Sequence, residues 1–448
     1  MVSRTPWLSA WFPTLLVAPL VAQRATPPPV DRQLIAAGVW AEARYNYAYW
    51  DAVRANWDSA FAATVTYAGE RPAPSDLQFF RRLRRWGALL NDGQLEIIPP
   101  AAIANRIARP PLILRSIERR PFIMDYVAND EMRVARPERL AEILAVQGIP
   151  AAEWIRDSVL PEIPAATETS RWDRAVAQML EGERGTALHL LLKLPGGAER
   201  GASVTRSVAM TAHSPLERPA FEADTLPDGA IWVRINSFAD PDILTQFDRA
   251  LGDAAREGRR HRGLIIDLRE TTGTAPPGDR GSRGGRDQGY ALLSRLIERP
   301  FLTSRSRIPR YRPDSVSDWL ALPSDTIWPP VRRERLAYTG PAAVLVSPRT
   351  GGAAEDFLVA FQAGGRGPLI GESSAGSTGE TVVLALAAGW KLRVTVSRDA
   401  FPDGTEFVPT GIAPQFPEEV RVEDVLAGCD AALERARAYL SDKARPTR

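Results

Sequence analysis

Cysteine is almost absent: Cys429 is the only one in 448 residues. A single thiol excludes an intramolecular disulfide, and it excludes zinc sites built from four cysteines or from two cysteines and two histidines. Histidine is nearly as scarce. His189, His213 and His261 lie in separate segments with neither HExxH nor paired spacing, so no metal and no cofactor is expected. His189 alternates within ALHLLLKL as a strand residue, His213 sits in a polar linker and His261 in a basic run. Excess charge of one sign is missing too, since 56 Lys and Arg stand against 54 Asp and Glu. Clusters such as Arg81, Arg82, Arg84 and Arg85 carry no interleaved aromatic motif, so they read as solvated faces and not as a nucleic-acid surface. No apolar run reaches the ~20 residues that span a bilayer, so no membrane span is expected in the mature chain.

What remains is ordinary globular composition, with 44% hydrophobic and 25% charged residues. The length calls for several domains. Arg4, an apolar stretch at 7–21 broken by Pro13 and Pro19, small residues around Ala22 and the segment QRATPPP follow the order of a secretory signal peptide. Residues 1–22 are therefore expected to direct export, and the mature chain to be secreted or periplasmic. From 31 to 108 apolar and aromatic residues recur at three- and four-residue spacing, as in ARYNYAYWDAVRANWDSAF and LQFFRRLRRWGALL, which predicts a helical cap. Arg109, Pro110 and Pro111 end it.

Residues 110–207 alternate β-like pieces (FIMDYVA, AEILAVQGIP), a helix (TSRWDRAVAQMLEG) and a strand pair turning at Gly196 and Gly197, the pattern of a small α+β unit. Residues 208–229 read as a polar linker. From 230 to 445, apolar strands (GAIWVRINSF, GLIIDL, AAVLVSP, GPLIGES) alternate with helices (DPDILTQFDRALGDAAREG, QGYALLSRLIER, AAEDFLVAFQAGG), which predicts an α/β sheet covered on both faces. The stretch APPGDRGSRGGRDQG reads as a flexible loop. A hairpin, TVVLALAAGWKLRVTVS, and one closing helix, DVLAGCDAALERARAYL, complete the chain; Lys391 lies on the hairpin.

The 230–445 region resembles the core of the tail-specific, or C-terminal processing, serine peptidases, the family that includes the tricorn core. The residues carrying the resemblance run in family order: IWVRINSFAD, GLIIDLRE, VLVSPRTGGAAEDF, LIGESSAGSTGE, FPDGTEF and GIAPQF. Upstream, RRWGALLNDGQ resembles the family's cap, which ends in LxDGH, and AEILAVQGIP with the helix after it resembles a PDZ-type segment. The resemblance implies a crotonase-like (ClpP-like) ββα core, an N-terminal helical cap and a PDZ-like unit. It also implies that peptides would be held by AEILAVQGIP and the helix beginning near Ser170, with a second contact in the core cleft.

Peptide hydrolysis needs a nucleophile, a base and oxyanion donors. The resemblance places Gly352 at the nucleophile position, Gln94 at one form of the base and Ser377 at the other. Glycine has no side chain, and an amide does not take a proton near neutral pH. Gly273, Gly351, Gly352 and Ala353 take the oxyanion and cleft positions, with threonines around Gly273 where glycine would be free. Ser347, Ser373 and Ser374 lie nearby without a histidine or lysine that the motifs would bring close. The expected function is a pseudo-peptidase that binds peptides or unfolded protein segments in the cell envelope. The rivals are an active serine endopeptidase with a rearranged dyad and a scaffold with no groove.

Overall fold

The computed structural model describes residues 29–127, 136–210, 219–256, 262–271, 281–312, 315–329 and 338–444. The expected signal peptide at 1–22 lies outside them, as do Gly273, His213 and His261. Among the described residues no helix is long and apolar enough to cross a membrane.

The cap begins with three helices, α1 (Pro29–Asn46), α2 (Trp57–Ala68) and α3 (Asp76–Gly87). The Asn56 side chain accepts the Ser59 amide at the start of α2, and Ser75 and Gln78 form a reciprocal capping box at the start of α3. Ile35, Val39, Trp57, Phe79, Phe80, Leu83 and Trp86 are buried between them. A short strand, β1 (Glu96–Ile98), follows, and Ile103 and Ile107 beyond it still belong to this core. The cap core also includes Trp390, Leu392 and Val394 of the late hairpin, with the Trp390 ring 5.9 Å from both Phe79 and Phe80. That hairpin therefore packs into the cap.

Next come β2 (Leu112–Ile117), β3 (Arg120–Tyr126), β4 (Glu142–Val146), α4 (Glu168–Gln178), β5 (Ala187–Lys193) and β6 (Glu199–Thr205). The strands pair antiparallel in the order β2-β3-β4-β5-β6, with α4 beside the edge strand β2. Alternation along β5 buries Leu188, Leu190 and Leu192 and exposes His189. AEILAVQGIP forms β4 in the interior of this sheet: β5 pairs along one side, and on the other Glu142 pairs with β3 while Ile149 and Pro150 fold back onto Val146 and Ala145. It has no free edge, so it cannot receive an added peptide strand. Of the strands here, β2 is the one that lies at a sheet edge beside α4.

The segment read as a linker at 208–229 instead contributes β7 (Phe221–Thr225), the outermost strand of the large sheet. The chain continues through β8 (Ile231–Ile235), α5 (Ile243–Arg256), β9 (Leu264–Asp267), α6 (Gly281–Leu293), the hairpin β10 (Arg305–Arg312) and β11 (Ser315–Leu322), β12 (Ala342–Val346), α7 (Ala353–Ala363) and β13 (Leu369–Gly371). Then follow β14 (Thr381–Ala385), β15 (Lys391–Thr395), β16 (Arg398–Ala400), β17 (Phe416–Pro417), α8 (Val422–Leu426) and α9 (Ala431–Ala444). The order is β7-β8-β9-β12-β13-β17, parallel from β8 onward. One face packs against α5, α6 and α7 through Ile266, Val344, Phe247 and Phe357, and the other packs against α9 through Ile265, Leu345, Ala436 and Leu440. Burial on both faces explains the unbroken apolar runs of β9 and β12.

Two further readings change. The glycines after Arg280 belong to α6: a Cβ at Gly285 would lie 3.2 Å from Ala353 Cβ, and Gly289 sits against Phe238 and Phe357. Gly285 and Gly289 thus serve close helix approach, while residues 275–280 of the expected loop lie outside the described residues. The closing helix is two helices, because Gly428 turns at φ 71° and Asp430 then accepts the Leu433 amide to start α9. The β10–β11 hairpin, with Pro309 in its sequence RSRIPRYR, gave no strand signal.

Candidate active site

The site is built on the turn between β12 and α7. Thr350 Oγ1 accepts the Ser347 amide at 3.0 Å and donates to the Leu268 carbonyl at 2.9 Å; Ser347 Oγ donates to the Arg269 carbonyl at 2.7 Å. Both hydroxyls thus brace the turn against the end of β9. Gly352 follows at φ 58°, ψ −128°, immediately before the first residue of α7. That backbone conformation is open to glycine and strained for any residue with a side chain.

The loop after β13 comes to the same place. Ser377 O accepts the Gly352 amide at 2.7 Å, the Ala375 amide donates to Thr350 O at 2.9 Å, and the Gly351 amide donates to Thr271 O at 3.0 Å. Beneath them lies Glu355, fully buried in the first turn of α7. Its Oε1 accepts Ser374 Oγ at 2.5 Å and the Gly376 amide at 2.7 Å, while Oε2 accepts the Ser377 amide at 2.8 Å. Burial pushes the Glu355 carboxyl up to about 7 despite these donors.

The cap supplies the third side. Asn91 adopts the left-handed conformation that ends its helix. Asp92, buried, accepts Thr395 Oγ1 at 2.6 Å and the Gln94 amide at 2.9 Å, and burial raises its carboxyl. A Cβ on Gly93 would collide with Ser377 Oγ, so only glycine fits there. Gln94 Nε2 donates to Gly379 O at 3.1 Å.

Gly352, Gln94 and Ser377, chosen from three distant segments, are therefore brought to one loop. No general base is among them. The Gly351 and Gly352 amides, read as oxyanion donors, are both spent on carbonyls, and both residues are buried. Ala353 is half-buried at the start of α7. Ser374 is committed to Glu355, and Ser373 is exposed. The one histidine among the described residues, His189, is exposed on β5, and Lys391 is exposed on β15.

Sequence reasoning missed a charged seam that fastens α4 to this site. Asp173 Oδ2 accepts Arg349 Nη1 at 3.0 Å and Asp173 Oδ1 accepts the Ser116 amide at 3.3 Å. Glu270 receives Arg115 Nη2 at 2.5 Å and lies 3.5 Å from Arg349 Nη2. Arg174 Nη1 donates to Gly93 O at 2.7 Å. Asp173 and Arg174 thus hold the core turn and the cap turn from one helix, and Asp173 caps an amide of β2, the edge strand that a peptide would need. No linear pattern joins Arg349 to Asp173, 176 positions apart.

Residues 231–417 match the model of peptidase family S41. These residues are a peptidase family S41 domain. No curated protein matches the chain. Among solved structures, mature CPAF complexed with lactacystin aligns with a TM-score of 0.70 at 14% identity, over 92% of this chain and 98% of that one. The photosystem II D1 C-terminal processing protease aligns over 90% of this chain and 98% of its own, at 19% identity and a TM-score of 0.47. The likeness to mature CPAF is one of fold, and it extends beyond the S41 domain to the cap and the middle unit. Within the S41 domain, Gly352 stands at the strand-to-helix turn and Ser377 on the loop that closes over it.

Glu355→Gln tests how the S41 domain holds that loop. An amide nitrogen in place of either carboxylate oxygen would face an N–H donor, so stability should fall by ~1–3 kcal/mol in urea unfolding near neutral pH. The wild type should also lose stability as pH rises from the ordinary 4.5 toward about 7, because the native state keeps a proton that the unfolded chain releases. The variant should show a flatter slope over that range. An unchanged slope together with unchanged stability would refute both statements.

Proposed function

We propose that this chain is a catalytically silent relative of the tail-specific peptidases that binds polypeptide segments without cutting them. In this reading the S41 domain is a crotonase-like core, residues 110–207 are a PDZ-like unit, and the N-terminal segment directs export to the periplasm or beyond. Gly352 carries the proposal: the residue before α7 has no side chain, and its amide is already bonded to Ser377 O. The absence of an imidazole or ammonium beside Ser377, Ser374 or Ser347 among the described residues supports it. The one carboxyl–hydroxyl pair described at the turn, Glu355 with Ser374, is buried: Ser374 is 1% exposed, and its Oγ also accepts the Ile412 amide, so the pair is engaged in holding the loop.

A fluorophosphonate probe and a fluorogenic peptide panel test the claim on the purified mature chain. No serine should be labelled and no peptide cleaved above background, whereas titration calorimetry with a peptide library should find binders. Labelling of Ser347, Ser374 or Ser377 with turnover that Ser→Ala abolishes would establish the rearranged endopeptidase instead. Failure of every peptide to bind would favour the scaffold.

A further inference from the structure

Exposed apolar side chains gather on one ribbon of this protein. Leu302 is 42% exposed, Leu320 and Leu322 are 37% each, and Trp328 is 75%. Antiparallel pairing sets Leu322 opposite Ser306 and Leu320 opposite Ile308, and the ribbon continues with Leu302 opposite Thr326 and Phe301 opposite Ile327. Leu320, Leu322 and Trp328 thus belong to its outer chain. The sheet runs β11-β10-β16, and no described strand pairs with the free side of β11.

Edge strands are ordinarily blunted by Lys, Pro or a bulge against chance pairing. Asp318, Trp319, Leu320, Ala321 and Leu322 include one charge and no proline, and the irregularity between Arg310 and Arg312 falls on the inner strand. The edge is also rigidly backed. Trp319 lies under two guanidinium groups, Arg307 at 4.6 Å and Arg398 at 4.9 Å, and Arg307 is held by Glu406 at 2.5 Å.

Charge selects the occupant. On the described part of this hairpin Arg305 and Arg310 are exposed, Arg307 is already paired with Glu406, and a single aspartate, Asp318, stands opposite Arg310, which leaves the hairpin positive. A second copy paired about a two-fold axis at the middle of β11 would set Asp318 near its own mate and join two arginine-rich hairpins, which repel. An acidic chain meets neither obstacle. We propose that β11 receives an extended acidic segment of another polypeptide as a fourth strand, its apolar side chains resting on Leu320, Leu322 and Trp328. This rests on the polypeptide-binding reading above and places the binding on an edge strand and not at the Gly352 turn.

The probe is a fluorescent peptide alternating Glu and Val, titrated into the mature chain and followed by anisotropy. Three comparators are the same peptide with Lys for Glu and the two forms N-methylated on alternate amides. The acidic peptide should bind and the lysine form should not. At least one N-methylated form should bind ~10-fold or more weakly, since main-chain hydrogen bonds hold an added strand. Leu320→Glu/Leu322→Glu should weaken the acidic peptide by a similar ~10-fold factor while the thermal midpoint stays unchanged. Equal binding of both N-methylated forms, or binding that survives in the edge variant, overturns the edge and leaves polypeptide binding intact. A library without any binder overturns the function reading as well. A dimer seen by light scattering that this variant dissolves would assign the edge to a second copy and refute the acidic partner.

Discussion

Gly352→Ser is expected to hydrolyse unfolded protein no faster than the wild type, although it restores the hydroxyl that the fold would present. Nucleophile and base act as a unit whose removal costs on the order of 10⁶ in kcat, and returning one member without the other recovers little of it. Gln94 donates its amide to Gly379 O, and Ser377 puts a buried hydroxyl, itself no base near neutral pH, at the other base position. The oxyanion would also find the Gly351 and Gly352 amides already bonded to Thr271 O and Ser377 O. The substitution carries a structural cost too. At φ 58°, ψ −128° a side chain is strained, so urea unfolding should show a loss of ~1–3 kcal/mol. Robust turnover by this single variant would reveal a base not identified among these residues. Unaltered stability would show that the turn relaxes to admit the side chain.

The parts of this site that sequence could reach are those with local signatures. Gly352, Gln94 and Ser377 stand inside short ordered motifs, and the alternation of apolar strands and helices from 230 onward follows from a sheet buried on both faces. The strand expected to line the groove was the wrong one for a topological reason, whereas the helix beginning near Ser170 does lie beside an edge strand, β2. AEILAVQGIP has the pattern of a strand, but period-two alternation does not say whether that strand is an edge, and here β3 and β5 flank it. The glycines of α6 misled because glycine signals both turns and close packing, and only the contacts with Ala353 and Phe238 distinguish the two. The hairpin that carries Trp390 reads as core by position, yet its ring packs 5.9 Å from both Phe79 and Phe80, more than 300 residues earlier. Pairing at that separation leaves no trace in local periodicity.

The charged seam is equally non-local, and Asp173→Ala should expose its weight. Asp173 is 8% exposed, and its two oxygens satisfy Arg349 and the Ser116 amide. With Glu270 and Arg115 the four side chains balance, two positive and two negative. Removing Asp173 leaves two guanidinium groups sharing one carboxylate and an edge amide without its acceptor. Breaking such a buried arrangement from one side costs ~3–5 kcal/mol, far more than its net worth, because the stranded charge has lost its solvent as well as its partner. The same argument predicts partial recovery in Asp173→Ala/Arg349→Met, where the stranded cation is gone and an apolar chain fills its place. Urea unfolding of the two single variants and the double variant closes the cycle, with an expected coupling of ~0.5–3 kcal/mol. Because Asp173 joins α4 to the Arg349 turn while Arg174 reaches Gly93, the Asp173→Ala chain should also become more open to limited proteolysis around residues 347–352. A single-variant loss below ~1 kcal/mol would show instead that water reaches the seam and screens it like a surface pair.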